Sequence, residues 1–289
     1  MIGIPAFNEE KNIGLLVAKL TQKYDVVIVC DDGSTDMTST IVSSMGAHLI
    51  RHEKNQGYGS AIKTIFNEAK KIDGDILVTF DADGQHQISE IDSILQPILQ
   101  NKADLVIGSR FLGETKDLPK YRKVGIKAIT GLTNTMTGSN ITDSQSGFRA
   151  YSKKMLKEIS PTETGMGIST EILIKASKNK MRITEIPITI TYENSTHSQE
   201  PFSHGTSVVV STIKHVAIER PLLYYGVTGL FFLMLGLIFG GWTIQIYSEE
   251  QIVMTNIALI GIGGVILGTI LLITATILYS IVNVVREER

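Results

Sequence analysis

A single cysteine, Cys30, leaves no partner for a disulfide within the chain, and a reducing compartment fits that scarcity. No signal peptide is visible; only Ile2 to Pro5 precede the first motif, which leaves room for a start upstream. Neither sign of charge is in excess: residues 1–220 carry 25 Lys and Arg against 25 Asp and Glu, so a nucleic-acid partner gains no support. There is no G-x-G-x-x-G fingerprint and no G-x-x-x-x-G-K-[ST] loop, so neither dinucleotide nor P-loop binding is indicated. No internal repeat or low-complexity linker divides the chain. Two stretches lack charge altogether: Leu222 to Tyr247 and Ile252 to Val285 contain no Asp, Glu, Lys or Arg.

Roughly 20 such residues span a bilayer. Both stretches are therefore expected to be transmembrane helices (about 222–247 and 252–285), joined as a hairpin by Ser248-Glu249-Glu250-Gln251. Lys214 and Arg220 precede the first helix, Arg286 and Arg289 follow the second, and the link has no basic residue. The positive-inside rule then puts both ends and the large N-terminal part in the cytoplasm. The expectation is a multi-pass cell-membrane protein. Residues 1–200 form the soluble domain and 222–289 the membrane hairpin. Residues 201–221 form an amphipathic juxtamembrane segment with Val209, Ile213, Val216 and Ala217 on one side.

The soluble part alternates strands and helices. Val26 to Cys30, Asp75 to Phe80 and Leu105 to Ile107 are short apolar runs of the kind that form buried strands. Ile13, Leu16, Val17 and Leu20 recur at helical spacing between two such runs. This alternation predicts an α/β domain with a Rossmann-like doubly wound sheet. Ligands bind such a sheet at the carboxyl ends of its strands, and polar loops lie there. Asp81-Ala82-Asp83 follows one strand, and its carboxylates repel each other unless a cation lies between them. Oxygen ligands suit Mg²⁺ or Mn²⁺, and Gln85 is a candidate third ligand; a solvated Asp-Gly turn is the alternative. Asp31 and Asp32 follow another strand and suit a base N–H or ribose hydroxyls. Asn8 is a candidate helix N-cap, and Glu9 and Glu10 suit the helix start that follows. Asn55-Gln56-Gly57-Tyr58-Gly59-Ser60 reads either as a close backbone approach to phosphate or as an ordinary turn leading into a helix.

Lys116, Lys120, Arg122, Lys123 and Lys127 lie within twelve residues. In a membrane-anchored chain they suit a lipid phosphate, or else a solvated helix face. Arg149, in Ser146-Gly147-Phe148-Arg149-Ala150, is a candidate phosphate clamp or a surface ion pair.

The ordered set P-x-x-N-E, D-D-G-S-T-D, D-A-D-G-Q-H, G-S-R-F and S-G-F-R-A, from Ile4 to about Ser198, resembles family 2 glycosyltransferases of the GT-A fold. Within them it is most similar to the polyprenyl-phosphate (dolichyl-phosphate) glycosyltransferases. The resemblance implies that Pro5, Phe7, Glu9, Asp31, Asp32, Asp81 and Ala82 hold a nucleotide sugar. Asp81, Asp83 and Gln85 would hold the metal. Arg110, Arg149, Lys120 and Arg122 would meet the acceptor phosphate. Asp83, Arg110, Arg149 and Glu171 would be the catalytic set. Where such enzymes carry a basic residue after the last strand, this chain has Ser195-Thr196-His197-Ser198.

The implied activity is metal-dependent, inverting transfer of a hexose from UDP-glucose or GDP-mannose to a polyprenyl phosphate at the membrane. The Asn55–Ile62 run leans towards the glucose-type members. A homo-oligomer is compatible with this reading. A processive polysaccharide synthase is the alternative enzyme, although its usual Q-x-x-R-W is absent and the sole Trp, Trp242, lies in the first apolar stretch. A non-catalytic membrane scaffold retaining the fold is the alternative outside enzymes.

Overall fold

The computed structural model describes residues 1–113, 115–116, 120–191, 222–252 and 254–287. The juxtamembrane segment 201–221, His197 and the Lys120 side chain lie outside the described residues. The chain divides into two compact units, Met1–Thr212 and Ile213–Arg289.

The first unit is built on seven strands: β1 (Ile2–Ala6), β2 (Val27–Asp31), β3 (His48–Arg51), β4 (Ile76–Thr79), β5 (Leu105–Ser109), β7 (Arg149–Ser152) and β8 (Ile183–Pro187). Their order in the sheet is β3-β2-β1-β4-β7-β5-β8. All pair in parallel except β7, which runs antiparallel to both β4 and β5. The sheet is therefore mixed rather than fully parallel. This reversal matters for the site: the residues just before β7 arrive at the edge where β4 and β5 end. A short pair, β6 (Thr115–Lys116) with β9 (Ile190–Thr191), lies apart.

Helices α1 (Ile13–Thr21), α2 (Thr38–Ser43) and α4 (Ile91–Leu99) accompany one face of the sheet. Helices α3 (Tyr58–Lys71), α6 (Lys153–Glu158) and α7 (Ile168–Lys178) accompany the other. Strand alternation divides the apolar side chains between them: Val27 and Val29 join the first cluster, Ile28 and Cys30 the second. The α1 stripe Ile13, Leu16, Val17 and Leu20 is wholly buried, and each such side chain contributes about 1.5–3 kcal/mol. Helix α5 (Lys120–Thr137) buries Ile129, Thr130 and Thr133 and exposes Lys123, Val124 and Lys127.

In the second unit, a π-helical turn at Leu222–Gly226 leads into α8 (Val227–Glu250), and α9 (Thr255–Glu287) follows. Spans Tyr224–Glu250 and Thr255–Ile281 are long and apolar enough to cross a membrane. Only 11% of the most apolar window of each is buried inside the protein, unlike the core helix of a soluble domain. The first helix continues through Ser248 to Glu250, and the chain turns at Gln251, which has φ 56°. The pair packs glycine against backbone. A Cβ on Gly236 would collide with Val265 N, Gly261 O and Gly264 C, and one on Gly268 with Leu233 N and Gly229 O. Small residues at such contacts let helix backbones approach closely.

Candidate active site

The loops after β1 and β2 are zipped together. Asn8 does not cap a helix. It has φ 55°, and its Oδ1 accepts from Thr35 N at 2.9 Å while its own N–H donates to Ser34 Oγ at 2.8 Å. Helix α1 starts four residues later than a cap at Asn8 requires, because Asn8 is spent on the neighbouring loop. Asp36 adds two bonds to the same loops: Oδ1 accepts from Thr38 N at 3.0 Å, and Oδ2 accepts from Glu10 N at 3.1 Å. Pro5 lies inside β1, buried, in register with Cys30. By strand alternation its nitrogen faces β4, whose pairing with β1 has ended at Gly3, so no ladder bond is lost. Phe7 and Glu9 are half-buried beyond the strand end. Burial first, and then the charges of Asp83, Asp36 and Asp81, raise the Glu9 carboxyl above its ordinary value against a hydrogen bond from Asn12. Glu9 therefore feels the carboxylates that follow β4.

Asp31 and Asp32, expected to read the nucleotide, are buried and already bonded within the protein. Asp31 accepts from Ser34 N at 2.9 Å and from the Ser39 hydroxyl. Asp32 Oδ1 accepts from Gln56 N at 3.0 Å and faces His52 Nδ1 at 2.6 Å; its Oδ2 accepts from Gly57 N at 2.8 Å. His52 Nε2 in turn meets Thr64 Oγ1 at 2.9 Å. Beside it, burial and then the Asp32 charge push the Cys30 thiol up to about 12. Cys30 is thus a protonated core residue with no thiolate chemistry near neutrality.

Asp81 and Asp83 sit beyond the carboxyl end of β4. Tyr58 Oη donates to Asp81 Oδ1 at 3.1 Å, and His86 Nε2 lies 3.5 Å from Oδ2. Burial alone would raise the Asp81 carboxyl. The His86 hydrogen bond and charge, the Tyr58 hydroxyl and the Arg110 charge outweigh it and hold Asp81 below its ordinary value. Asp83 moves the other way, pushed up by burial and then by the Asp81 charge. A carboxylate pair with opposed shifts is one that a bound cation would relieve. Gln85 donates its backbone N–H to Asp83 Oδ1 at 3.0 Å, and Ala82 packs into the core. Gly147 closes the site from the antiparallel side: a Cβ there would strike both Asp81 oxygens and the Tyr58 hydroxyl. Among the described residues no three His, Cys, Asp or Glu side chains form a ready metal cluster. Two carboxylates suit Mg²⁺ or Mn²⁺, which takes its remaining oxygens from substrate phosphates and water. The residues present fit that group.

The expected acceptor cations are placed differently. The Arg149 guanidinium is buried and donates to three backbone carbonyls: Ser146 at 2.8 Å, Ser169 at 2.9 Å and Ser144 at 2.7 Å. It braces the loop that carries Gly147. Arg110 forms a side-on pair with buried Asp143 (Nε–Oδ2 2.6 Å, Nη2–Oδ1 2.7 Å). Glu171 is likewise held by partners within the protein. Its carboxylate accepts from Thr162 N at 3.0 Å, Glu163 N at 2.9 Å and the Thr162 hydroxyl, and it pairs with Lys175 at 2.7 Å. For Arg110 and Arg149 a distant chain crossing supplied a partner, Asp143 and Ser169, that a reading along the sequence does not see. On α5, Arg122 is half-buried, Lys123 and Lys127 are exposed, and Lys127 Nζ stands 5.8 Å from the Phe111 ring centroid. Sequence reasoning passed over Asp143, Glu185, His52 and the Tyr58 hydroxyl. Glu185 sits in the alternating run that marks β8, and its carboxylate accepts from Thr142 N at 2.7 Å and Asp143 N at 2.9 Å.

Residues 1–160 match Glycosyl transferase family 2. A UDP-N-acetylglucosamine–dolichyl-phosphate N-acetylglucosaminyltransferase of Methanococcus voltae is 37% identical over 229 residues, covering 72% of this chain and 89% of that protein. The chain belongs to glycosyl transferase family 2. This glycosyltransferase is also 30% identical to a dolichyl-phosphate hexose transferase of Haloferax volcanii, over 74% of its own chain and 92% of that one. A dolichol-phosphate mannosyltransferase of Pyrococcus furiosus is 33% identical over 64% of this chain and 54% of its own. The crystal structure of glucosyl-3-phosphoglycerate synthase from Mycobacterium tuberculosis with UDP has the same fold, at TM-score 0.60 and 20% identity, covering 74% of this chain and 78% of that one. The architecture is thus the GT-A-like mixed α/β sheet, with two apolar C-terminal helices as candidate membrane spans.

Proposed function

We propose that this glycosyltransferase moves a hexose or N-acetylhexosamine from a nucleotide sugar to a polyprenyl (dolichyl) phosphate. The observation that carries the reading is the carboxylate pair Asp81-x-Asp83 beyond the end of β4, with Tyr58 on one Asp81 oxygen and the Gly147 loop packed against it. A divalent Mg²⁺ or Mn²⁺ there would stabilise the departing diphosphate. Phe7 and Glu9 border the nucleotide, while Asp31 and Asp32 act by shaping the loops around it. In the transfer, an acceptor phosphate oxygen forms a bond to the sugar's anomeric carbon. The bond from that carbon to the diphosphate breaks, with inversion, and the nucleoside diphosphate leaves.

No proton needs to be removed, because a phosphate monoester is already an anion. That suits the site. Outside the metal pair, Glu171 and Asp143 are both held by internal partners, so neither stands ready as a base for a hydroxyl acceptor. With Arg149 spent on carbonyls, Arg122, Lys123 and Lys127 of α5, joined by Lys120, are the cations proposed for the lipid phosphate. The names of the relatives and the two apolar spans support a lipid acceptor and a bilayer anchor. Basic residues on both flanks of the hairpin support a cytoplasmic catalytic domain.

Membranes containing the protein, incubated separately with labelled UDP-glucose, UDP-N-acetylglucosamine and GDP-mannose, should transfer label to an extractable polyprenyl-phosphate lipid from one of them. The name of the Methanococcus voltae relative and the Asn55–Ile62 run favour a UDP-sugar. EDTA should stop the transfer and Mn²⁺ or Mg²⁺ restore it. Label appearing only in polymer would favour a processive synthase. Full transfer in EDTA, or equal use of a polyprenol lacking phosphate, would overturn the reading.

A further inference from the structure

We propose that Tyr58 is a positioning residue for the metal carboxylate Asp81, held in place by the grip of Asp32 on the two residues before it. The inference rests on Asp81 being a metal ligand, as the proposed function has it. Three observations carry it. Tyr58 Oη donates to Asp81 Oδ1 at 3.1 Å, closer than the 3.5 Å approach of His86 to the other oxygen. Gly147 packs so near that a Cβ would strike the carboxylate and the phenol together, so the two cannot part on that side. The segment leading to Tyr58 is fixed at its backbone: Gln56 N and Gly57 N each donate to one oxygen of Asp32.

Gly57 is required for this path. Its φ of 98° is left-handed, and a Cβ would meet the Thr164 carbonyl. Ser60 N then donates to that same carbonyl at 3.1 Å. Tyr58 therefore projects from a turn pinned on two sides, at the first residue of α3. A phenol fixed in this way restricts the rotation of the Asp81 carboxylate, leaving it preorganised for a cation. Outer partners that orient a ligand commonly govern metal affinity by about 10–100-fold.

The test compares Tyr58→Phe, Asp81→Asn and the double variant in the full-length protein. Mn²⁺ affinity with UDP is read by electron paramagnetic resonance, and the thermal midpoint is read alongside. Phe keeps the ring and removes only the hydroxyl. Tyr58→Phe should weaken Mn²⁺ binding about tenfold or more, leave the thermal midpoint within a few degrees, and lower kcat without raising KM for the lipid acceptor. On the Asp81→Asn background the same change should add nothing, because Tyr58 acts through Asp81. If Asp81→Asn weakens Mn²⁺ binding but Tyr58→Phe does not, the positioning role is overturned while Asp81 stays a ligand. Equal losses from Tyr58→Phe on both backgrounds would also overturn it. If Asp81→Asn binds Mn²⁺ as the wild type does, the metal reading itself fails.

Discussion

Arg110 meets Asp143 side-on through two hydrogen bonds, at 2.6 and 2.7 Å, with the carboxylate fully buried. Asp143 Oδ2 also accepts from the Arg110 backbone N–H at 3.2 Å. The pair ties the end of β5 to the loop that presents Gly147. Removing one member of a buried ion pair strands the other, at a cost of about 3–5 kcal/mol. Arg110→Ala should therefore lower stability by that amount in denaturant titration. Arg110→Ala with Asp143→Ala should recover a large part of it. A normal midpoint for Arg110→Ala, combined with a raised KM for lipid phosphate, would instead assign the guanidinium to the acceptor.

Arg149 leads to a related expectation. Three carbonyls, from Ser144, Ser146 and Ser169, converge on its guanidinium. Each buried polar group left unmatched costs about 1–3 kcal/mol. Arg149→Met should lower the thermal midpoint sharply, and Arg149→Lys should recover part, since an ammonium cannot reproduce the planar fork. The folded fraction of Arg149→Lys should keep the wild-type KM for polyprenyl phosphate. A KM raised tenfold with an unchanged midpoint would restore the phosphate-clamp role.

The difference between expectation and structure has a physical pattern. Strands and helices were legible because burial leaves a periodic record: the Ile13–Leu20 stripe and the apolar runs before Asp31 and Asp81 all lie inside. The place of Asp81 and Asp83 beyond a strand end was legible because the apolar run before them marks β4. The direction of β7 was not, since Arg149-Ala150-Tyr151-Ser152 reads the same in either sense. Whether a charged group is free or spent depends on what crosses it. Ser169 lies 20 residues from Arg149, and Asp143 lies 33 from Arg110. Local spacing carries no record of such crossings.

Glu171 gives a pH dependence. Burial would raise its carboxyl, but Lys175, Thr162 and the backbone N–H groups of Glu163 and Thr162 outweigh it and hold it below the ordinary 4.5. A depressed carboxyl contributes stability that is present above the unfolded-state value and is lost as pH falls through the folded-state value. Near neutral pH, Glu171→Gln should be about 1–3 kcal/mol less stable than the wild type. The gap should close as the pH falls below 4.5. A gap that persists or widens in acid would show that the carboxylate's charge is not what anchors the Thr162–Glu163 loop.

The pair of apolar C-terminal helices offers a test with an internal control. Gly236 and Gly264 face each other so closely that a Cβ on Gly264 would lie within 3 Å of Gly236 Cα. Gly241 and Gly263 sit on the same two helices with nothing within 4 Å of an added Cβ. Intrinsic helix preference favours Val over Gly at all four positions, so propensity alone predicts mild stabilisation throughout. Packing separates them. At Gly236 or Gly264 the new methyl groups meet backbone, which cannot rotate away as a side chain could. The helices must separate, and overpacking of this kind costs about 1–3 kcal/mol. Gly236→Val and Gly264→Val should lower the heat-aggregation midpoint in detergent, and Gly241→Val and Gly263→Val should leave it unchanged or raise it. Equal effects at all four sites would mean that the glycines act through helix propensity and that the two helices are not held by backbone contact.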